Sequence, residues 1–175
     1  GIDPTRLGCS MGAGLITADI HELGPSLVAS LEDGDVALHR WGSEVMSNLF
    51  PLWLLKYLPN MLACHISIFR NAQGPNNTIT TGDVAAIEAL GEACHVIERG
   101  AADVFIAGGA DSPLTPLAIL RFEMLNQLSH RNDDPAGAVA PFDLDRDGFV
   151  AGEGAAVVIL EETEHARRRD ASIYA

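Results

Sequence analysis

Basic residues are scarce: 11 Lys and Arg stand against 24 Asp and Glu, leaving a net charge of −13 and a pI near 4.6. Affinity for nucleic acid comes from neutralising phosphates with Lys and Arg, so this balance opposes such a partner. It also repels acidic protein partners, except where a local basic run such as Arg167, Arg168 and Arg169 overrides the mean field. Cysteine is sparse as well. Cys9, Cys64 and Cys94 have neither the paired spacing of a zinc site nor the even count of a disulfide framework, and a reducing cytoplasm is the expected compartment. No basic segment followed by an apolar one opens the chain, so no secretory signal is read. Long apolar runs are missing too. The most lipid-like stretch, 45–69, is broken by Pro51, Lys56 and Pro59 and falls short of the roughly 20 residues a bilayer span needs. It reads instead as a buried helix pair.

What is present is the composition of a core-forming globular chain, 47% hydrophobic and 20% charged, with one domain as the expectation. Arg6 to Gly14 reads as a short buried strand running into a glycine turn, followed by an amphipathic helix through Leu31. Residues 32–48 show no clear period and read as a loop. Two helical stretches bracket Pro59. Asn76 to Thr80 reads as a strand and Asp83 to Arg99 as the clearest helix, with Val84, Ile87, Leu90, Cys94 and Ile97 as its apolar face and Gly100 as a left-handed cap. Asp103 to Ala107, bounded by Gly108 and Gly109, reads as a strand buried on both faces, and strand, helix, strand in that order predicts a parallel crossover. A helix over Pro116 to Leu128, a polar loop, a buried strand over Gly154 to Leu160 and a short helix over Glu161 to Arg169 complete the reading. A last strand is expected to begin at Ser172 to Tyr174, so the chain reads as cut at both ends.

Four segments carry a resemblance. They are Gly74-Pro75 with the turn Thr80-Thr81-Gly82-Asp83; Gly100 to Ala110, ending in Ala107-Gly108-Gly109-Ala110; Leu128-Ser129-His130-Arg131-Asn132-Asp133; and Pro141 to Gly154, which includes Asp145-Arg146-Asp147-Gly148-Phe149. In this order and spacing, across nearly the whole chain, they resemble the β-ketoacyl synthase family of condensing enzymes. The resemblance implies an α/β fold of the thiolase-like kind, layered αβαβα, of which residues 1–175 supply most of the first half. It also implies fatty-acid or polyketide synthesis, acyl-carrier-protein thioesters as partners, no cofactor and no metal. A dimer is implied, either of identical chains or with an active ketosynthase, with the strand Asn76 to Thr80 at the interface.

The resemblance also sets Asp83 where the family keeps a nucleophilic cysteine, and Phe122 where it places an aromatic near the acyl pocket. A thiolate suits the start of a helix, because the terminal amides and the macrodipole lower its pKa. The family's two histidines fall in sequence beyond Ala175, and none of His21, His39, His65, His95, His130 or His165 sits in a matching motif. A carboxylate is a poor substitute, since taking an acyl group from a thioester would make a mixed anhydride. Asp is also among the best helix N-caps, so a capping role for Asp83 stands beside the catalytic one. Its neighbours Gly82 and Val84 depart from the family's usual small Ala and Thr or Ser. Cys94 lies eleven residues downstream on the same helix, about three turns from the amide cluster, and Cys9 and Cys64 fall in apolar segments where an inert thiol is expected.

Asp143-x-Asp145-x-Asp147-Gly148 imitates the start of a calcium loop, but its twelfth position is Gly154, where a bidentate Glu is required. It reads better as a turn held by carboxylate to backbone hydrogen bonds. Phe122 shares its helix with Ile119, Leu120, Met124 and Leu125, which read as core. The glycine turns Gly12-x-Gly14 and Gly152-x-Gly154 lack the full phosphate-cradling pattern, so no nucleotide site is read. Three functions remain: a catalytically altered partner like the chain-length factors that pair with an active ketosynthase; a decarboxylase or other transformer of malonyl or acyl thioesters without a covalent intermediate; and a non-catalytic structural or binding module.

Overall fold

The computed structural model describes residues 1–175. In chain order the elements are β1 (Leu7–Ala13), α1 (Ile20–Ala29), β2 (Leu31–Glu32), β3 (Asp35–Val36), α2 (Met46–Asn48) and α3 (Met61–Arg70). Then come β4 (Asn76–Ile79), α4 (Ala85–Glu98), β5 (Val104–Asp111), α5 (Pro116–Met124), β6 (Gly154–Glu161) and α6 (Thr163–Arg168). The chain divides into two compact units. One comprises Gly1–Leu15, Leu58–Asp111 and Gly154–Ala175, the other Ile16–Tyr57 and Ser112–Glu153.

The first unit is built on a sheet of order β4-β1-β5-β6, with β1 parallel to both neighbours and β6 antiparallel to β5. The period of two along β1 sends its residues to opposite faces. Cys9 and Met11 pack against Ala63 of α3. On the other face Gly12 lies under α4, where an added Cβ would fall 2.4 Å from the Ala86 backbone nitrogen. The predicted succession β4, α4, β5 is a parallel crossover, as expected.

Helix α4 differs from its sequence reading in which face it buries. The inward residues are Ala85, Ala89, Ala93 and Val96, with Leu90 and Ile97 at the margin. Val84 and Ile87 are 50% and 72% exposed, and Cys94 is exposed as well. The physical reason lies in the sheet beneath. Gly12 and Gly109 have no side chains, so the helix approaches until its own alanines touch the strands, and larger residues are turned outward. The helix ends as predicted: Gly100 takes φ +70°, its N–H donates to Ile97 O at 2.8 Å, and Ala101 N–H donates to Val96 O at 3.1 Å.

Other boundaries moved. β5 runs through Gly108 and Gly109 to Asp111, because both glycines continue the ladder with β1 and β6. β6 is an edge strand and not the buried one expected; Val157, Val158 and Ile159 stay about half exposed. Residues 172–174 form no strand.

Two ion networks close the first unit. Arg6 donates Nη2 and Nε to the two Asp103 oxygens at 2.6 and 3.1 Å, joining the starts of β1 and β5. At the end of β6, Glu161 accepts Arg169 Nε and Nη2 at 2.8 and 2.6 Å and lies 2.5 Å from His165 Nδ1. The Arg169 hydrogen bonds, then that of His165, lower the Glu161 pKa to about 2. A carboxyl whose folded pKa lies below its unfolded value stabilises the fold above the unfolded value and loses that effect as pH falls through the folded one. Glu161→Gln is therefore expected to cost about 2 kcal/mol at neutral pH, a figure reduced for the solvent around Arg169. Urea unfolding of both proteins from neutral pH down to pH 2 checks this; a gap that stays constant as the solution is acidified refutes it.

In the second unit, residues 32–48 hold structure where the sequence reading saw a loop. β2 and β3 form a small antiparallel hairpin turning at Asp33 and Gly34, with φ +52° and +90°, and a π-helical turn follows over Trp41–Val45. Asp-Gly is the dipeptide that favours such tight turns. Helix α1 is capped by the Asp19 carboxylate, which accepts from His21 N–H at 2.7 Å. Tyr57 donates its hydroxyl to Glu22 at 2.6 Å and accepts from Asp19 N–H at 3.0 Å, while Lys56 pairs with Glu22, so the 3-10 turn Trp53–Tyr57 is tied to the start of α1.

Candidate functional site

Position 83 lies where β4 runs into α4. The chain leaves Ile79, passes Thr80 and Thr81, and enters a 3-10 turn over Gly82–Val84 that leads into the helix at Ala85. Gly82 takes φ +74°, a conformation open to glycine and strained for other residues. The expected N-cap role of Asp83 is not realised. An N-cap residue has non-helical backbone just before the helix, and Asp83 already lies inside the turn. The flanking positions are Thr81 for the turn and Val84 for the helix, and neither uses a side-chain cap. The Asp83 carboxylate is exposed, in the first turn where the helix dipole favours negative charge.

No thiol replaces it at the turn. Cys9 is 1% exposed within the sheet, and burial pushes its thiol pKa up, away from the reactive thiolate. Cys64 lies on α3, and Cys94 lies on α4 about 16 Å along the helix axis from position 83.

Phe122 lies on α5 in the second unit. Only Ala118 of that helix is buried, and Leu120, Met124 and Leu125 are 53%, 75% and 59% exposed, so the expected core face is largely open. The helix also stops at Met124 and not at Leu128. Phe122 packs edge-on against Phe149, with ring centroids 5.1 Å apart and planes at 78°, and the Arg121 guanidinium lies 4.9 Å from its ring centre. Phe149 belongs to the Pro141 to Gly154 segment, but nothing in the sequence reading gives it a site role. It also lines a cavity of about 270 Å3 with Leu114, Ile119, Leu128, Ser129 and Arg131.

The acidic run 143–148 is held as a turn. Asp143 accepts from Asp145 N–H at 2.8 Å, and Asp147 accepts from Ser129 Oγ at 2.7 Å and His130 N–H at 3.1 Å, with Arg131 Nε 3.5 Å away. These bonds, Ser129 first, lower the Asp147 pKa. The Asp143 and Asp147 carboxylates face partners of the protein's own, and no group of three His, Cys, Asp or Glu side chains is placed to hold a metal ion. No helix is long and apolar enough to cross a membrane.

Comparison with known proteins gives the class. Residues 2–166 match the family model described as "Beta-ketoacyl synthase, N-terminal domain". The chain is 38% identical over 97% of its length to 3-oxoacyl-(acyl-carrier-protein) synthase 2 of Vibrio cholerae, and 49% identical over 67% to a polyketide beta-ketoacyl synthase 1 of Streptomyces cyaneus. It spans 38% and 28% of those two proteins. Among solved structures, a beta-ketoacyl synthase of Burkholderia phymatum superposes with TM-score 0.78 at 30% identity, over 98% of this chain and 38% of that one. A type II polyketide synthase acyl-carrier protein in complex with its ketosynthase, bound to the hexaketide, gives TM-score 0.74 at 35% identity, over 99% and 41%. The fold is thus the mixed α/β architecture of the thiolase-like condensing enzymes. The chain belongs to the β-ketoacyl synthase family.

Proposed function

We propose that this chain is a β-ketoacyl synthase homologue of fatty-acid or polyketide synthesis that does not condense through an acyl-cysteine and acts as a partner subunit, in the manner of a chain-length factor. The observation that carries the reading is the carboxylate of Asp83 on the turn into α4, with no thiol to take its place. On this reading Asp83 occupies the nucleophile position, Phe122 with Phe149 borders the acyl group, and residues 1–175 make up most of the first half of the synthase. Acyl-carrier thioesters are its ligands, in the cytoplasm. β4, an edge strand of the sheet, faces the second subunit. A decarboxylase without covalent intermediate is less well supported, since it requires burial to hold the Asp83 carboxyl neutral beside a malonate, and Asp83 is exposed.

Intact-protein mass spectrometry after incubation with an acyl-carrier thioester tests this. No stable adduct on residue 83 is expected, together with co-purification of a cysteine-bearing homologue. A stable acyl group on Asp83, or chain elongation by the purified protein alone, overturns it.

A further inference from the structure

The turn that carries residue 83 is held by an unusual contact. Thr81 stands where a helix-capping hydroxyl would accept a backbone N–H, yet it makes no such bond. Its Oγ1 instead donates to Glu88 Oε2 at 2.5 Å, reaching seven residues forward into the start of α4. The bond spans residues 82 to 84 like a strap. Little else restrains them from outside: a Cβ at Gly82 would meet nothing within 4 Å, while Asp83 and Val84 are both exposed. Inside the turn, Ala85 N–H donates to Gly82 O and closes a 3-10 ring. Ala85 itself is 3% exposed and belongs to the packed helix. The closely packed part thus begins at Ala85, and the strap is a side-chain tie across the exposed segment before it.

We propose that Glu88 is a positioning residue for site 83: by accepting from Thr81 it sets the conformation in which the turn presents that side chain. Glu88 needs no contact with any acyl ligand to do this. The proposal rests on the reading of position 83 as the acyl site, but the strap is tested without acyl chemistry. A thiol placed by Asp83→Cys reports its own accessibility and orientation through the rate of alkylation by iodoacetamide. In that background Glu88→Ala is expected to change the alkylation rate by about fivefold, the scale of one lost charge-assisted hydrogen bond. Glu88→Gln, which keeps an acceptor oxygen without the charge, is expected to restore it to within about twofold. In the otherwise unchanged protein, amide exchange at residues 82–84 should speed up in Glu88→Ala alone, while exchange in β1 and β5 stays the same.

If Glu88→Ala leaves alkylation and amide exchange unchanged, the strap does not position the turn. If Glu88→Gln behaves like Glu88→Ala, charge and not geometry is responsible, and the proposal is equally overturned. Neither result depends on whether an acyl adduct forms on the natural chain, so failure here and failure of the partner-subunit reading are told apart.

Discussion

Gly12→Val is expected to destabilise the first unit by about 3 kcal/mol or more, at the upper end of what overpacking costs. A Cβ at this glycine would lie 2.4 to 2.6 Å from Ala86 N, Ala85 C and Ala86 Cα. These are backbone atoms of the first turn of α4, so no rotamer change relieves the clash, and the helix must lift from β1. Lifting it also loosens the packing of Ala89 and Ala93 and moves the turn that presents Asp83. The control is Gly91→Ala on the same helix, where an added Cβ meets nothing within 4 Å. A helical glycine replaced by alanine in open space gains about 0.5–1 kcal/mol. Urea unfolding of the three proteins is the measurement. A Gly12→Val protein within 0.5 kcal/mol of the wild type would mean that α4 does not sit on Gly12.

Phe105→Ala is expected to cost about 3–5 kcal/mol, the usual range for emptying a buried aromatic site. Phe105 is 1% exposed and shares its cluster with Ala93, Val96, Ala102 and Ala107, flanked by Leu90, Ile97 and Leu160. Its ring also covers Gly8 on the neighbouring strand, where a Cβ would lie 2.3 Å from the ring edge. Ala93, Ala102, Ala107 and Gly8 have no side chains long enough to move into the space the ring leaves, so only Val96, Leu90, Ile97 and Leu160 can close part of it. The cavity should persist. Phe105→Leu, which refills part of it, is expected to recover more than half of the loss, and thermal unfolding distinguishes the two. Equal destabilisation by both replacements would show that ring shape, and not filled volume, matters at this position.

The strand, helix and strand around position 83 were legible because their signals are local: an apolar run, a 3.6-residue period, Gly100 past the helix end. The hairpin of β2 and β3 was also signalled, by Asp33-Gly34, but its strands of two residues each are too short for a period to show. The apolar pattern of α4 misled because it ranked residues by size. The inward face was settled by how near the helix stands to the sheet, and that distance is set by Gly12, on a strand far away in sequence, and by Gly109 on the strand that follows the helix. Likewise the Arg131 and Asp147 pairing and the Phe122 and Phe149 contact join residues sixteen and twenty-seven positions apart, beyond any local pattern.

The sequence by itself determined the family, the strand, helix and strand order around position 83 and the presence of a carboxylate there, since each of these is written in residue types and their spacing. Only the tertiary structure decided that Asp83 lies inside a 3-10 turn without capping the helix, that Thr81 is strapped to Glu88, and that alanines form the inner face of α4. Those outcomes depend on how closely two backbones approach and where a turn begins. The approach of α4 to the sheet is set by packing against segments remote in the chain, whereas the turn and its strap are local but follow from backbone geometry that residue types do not spell out.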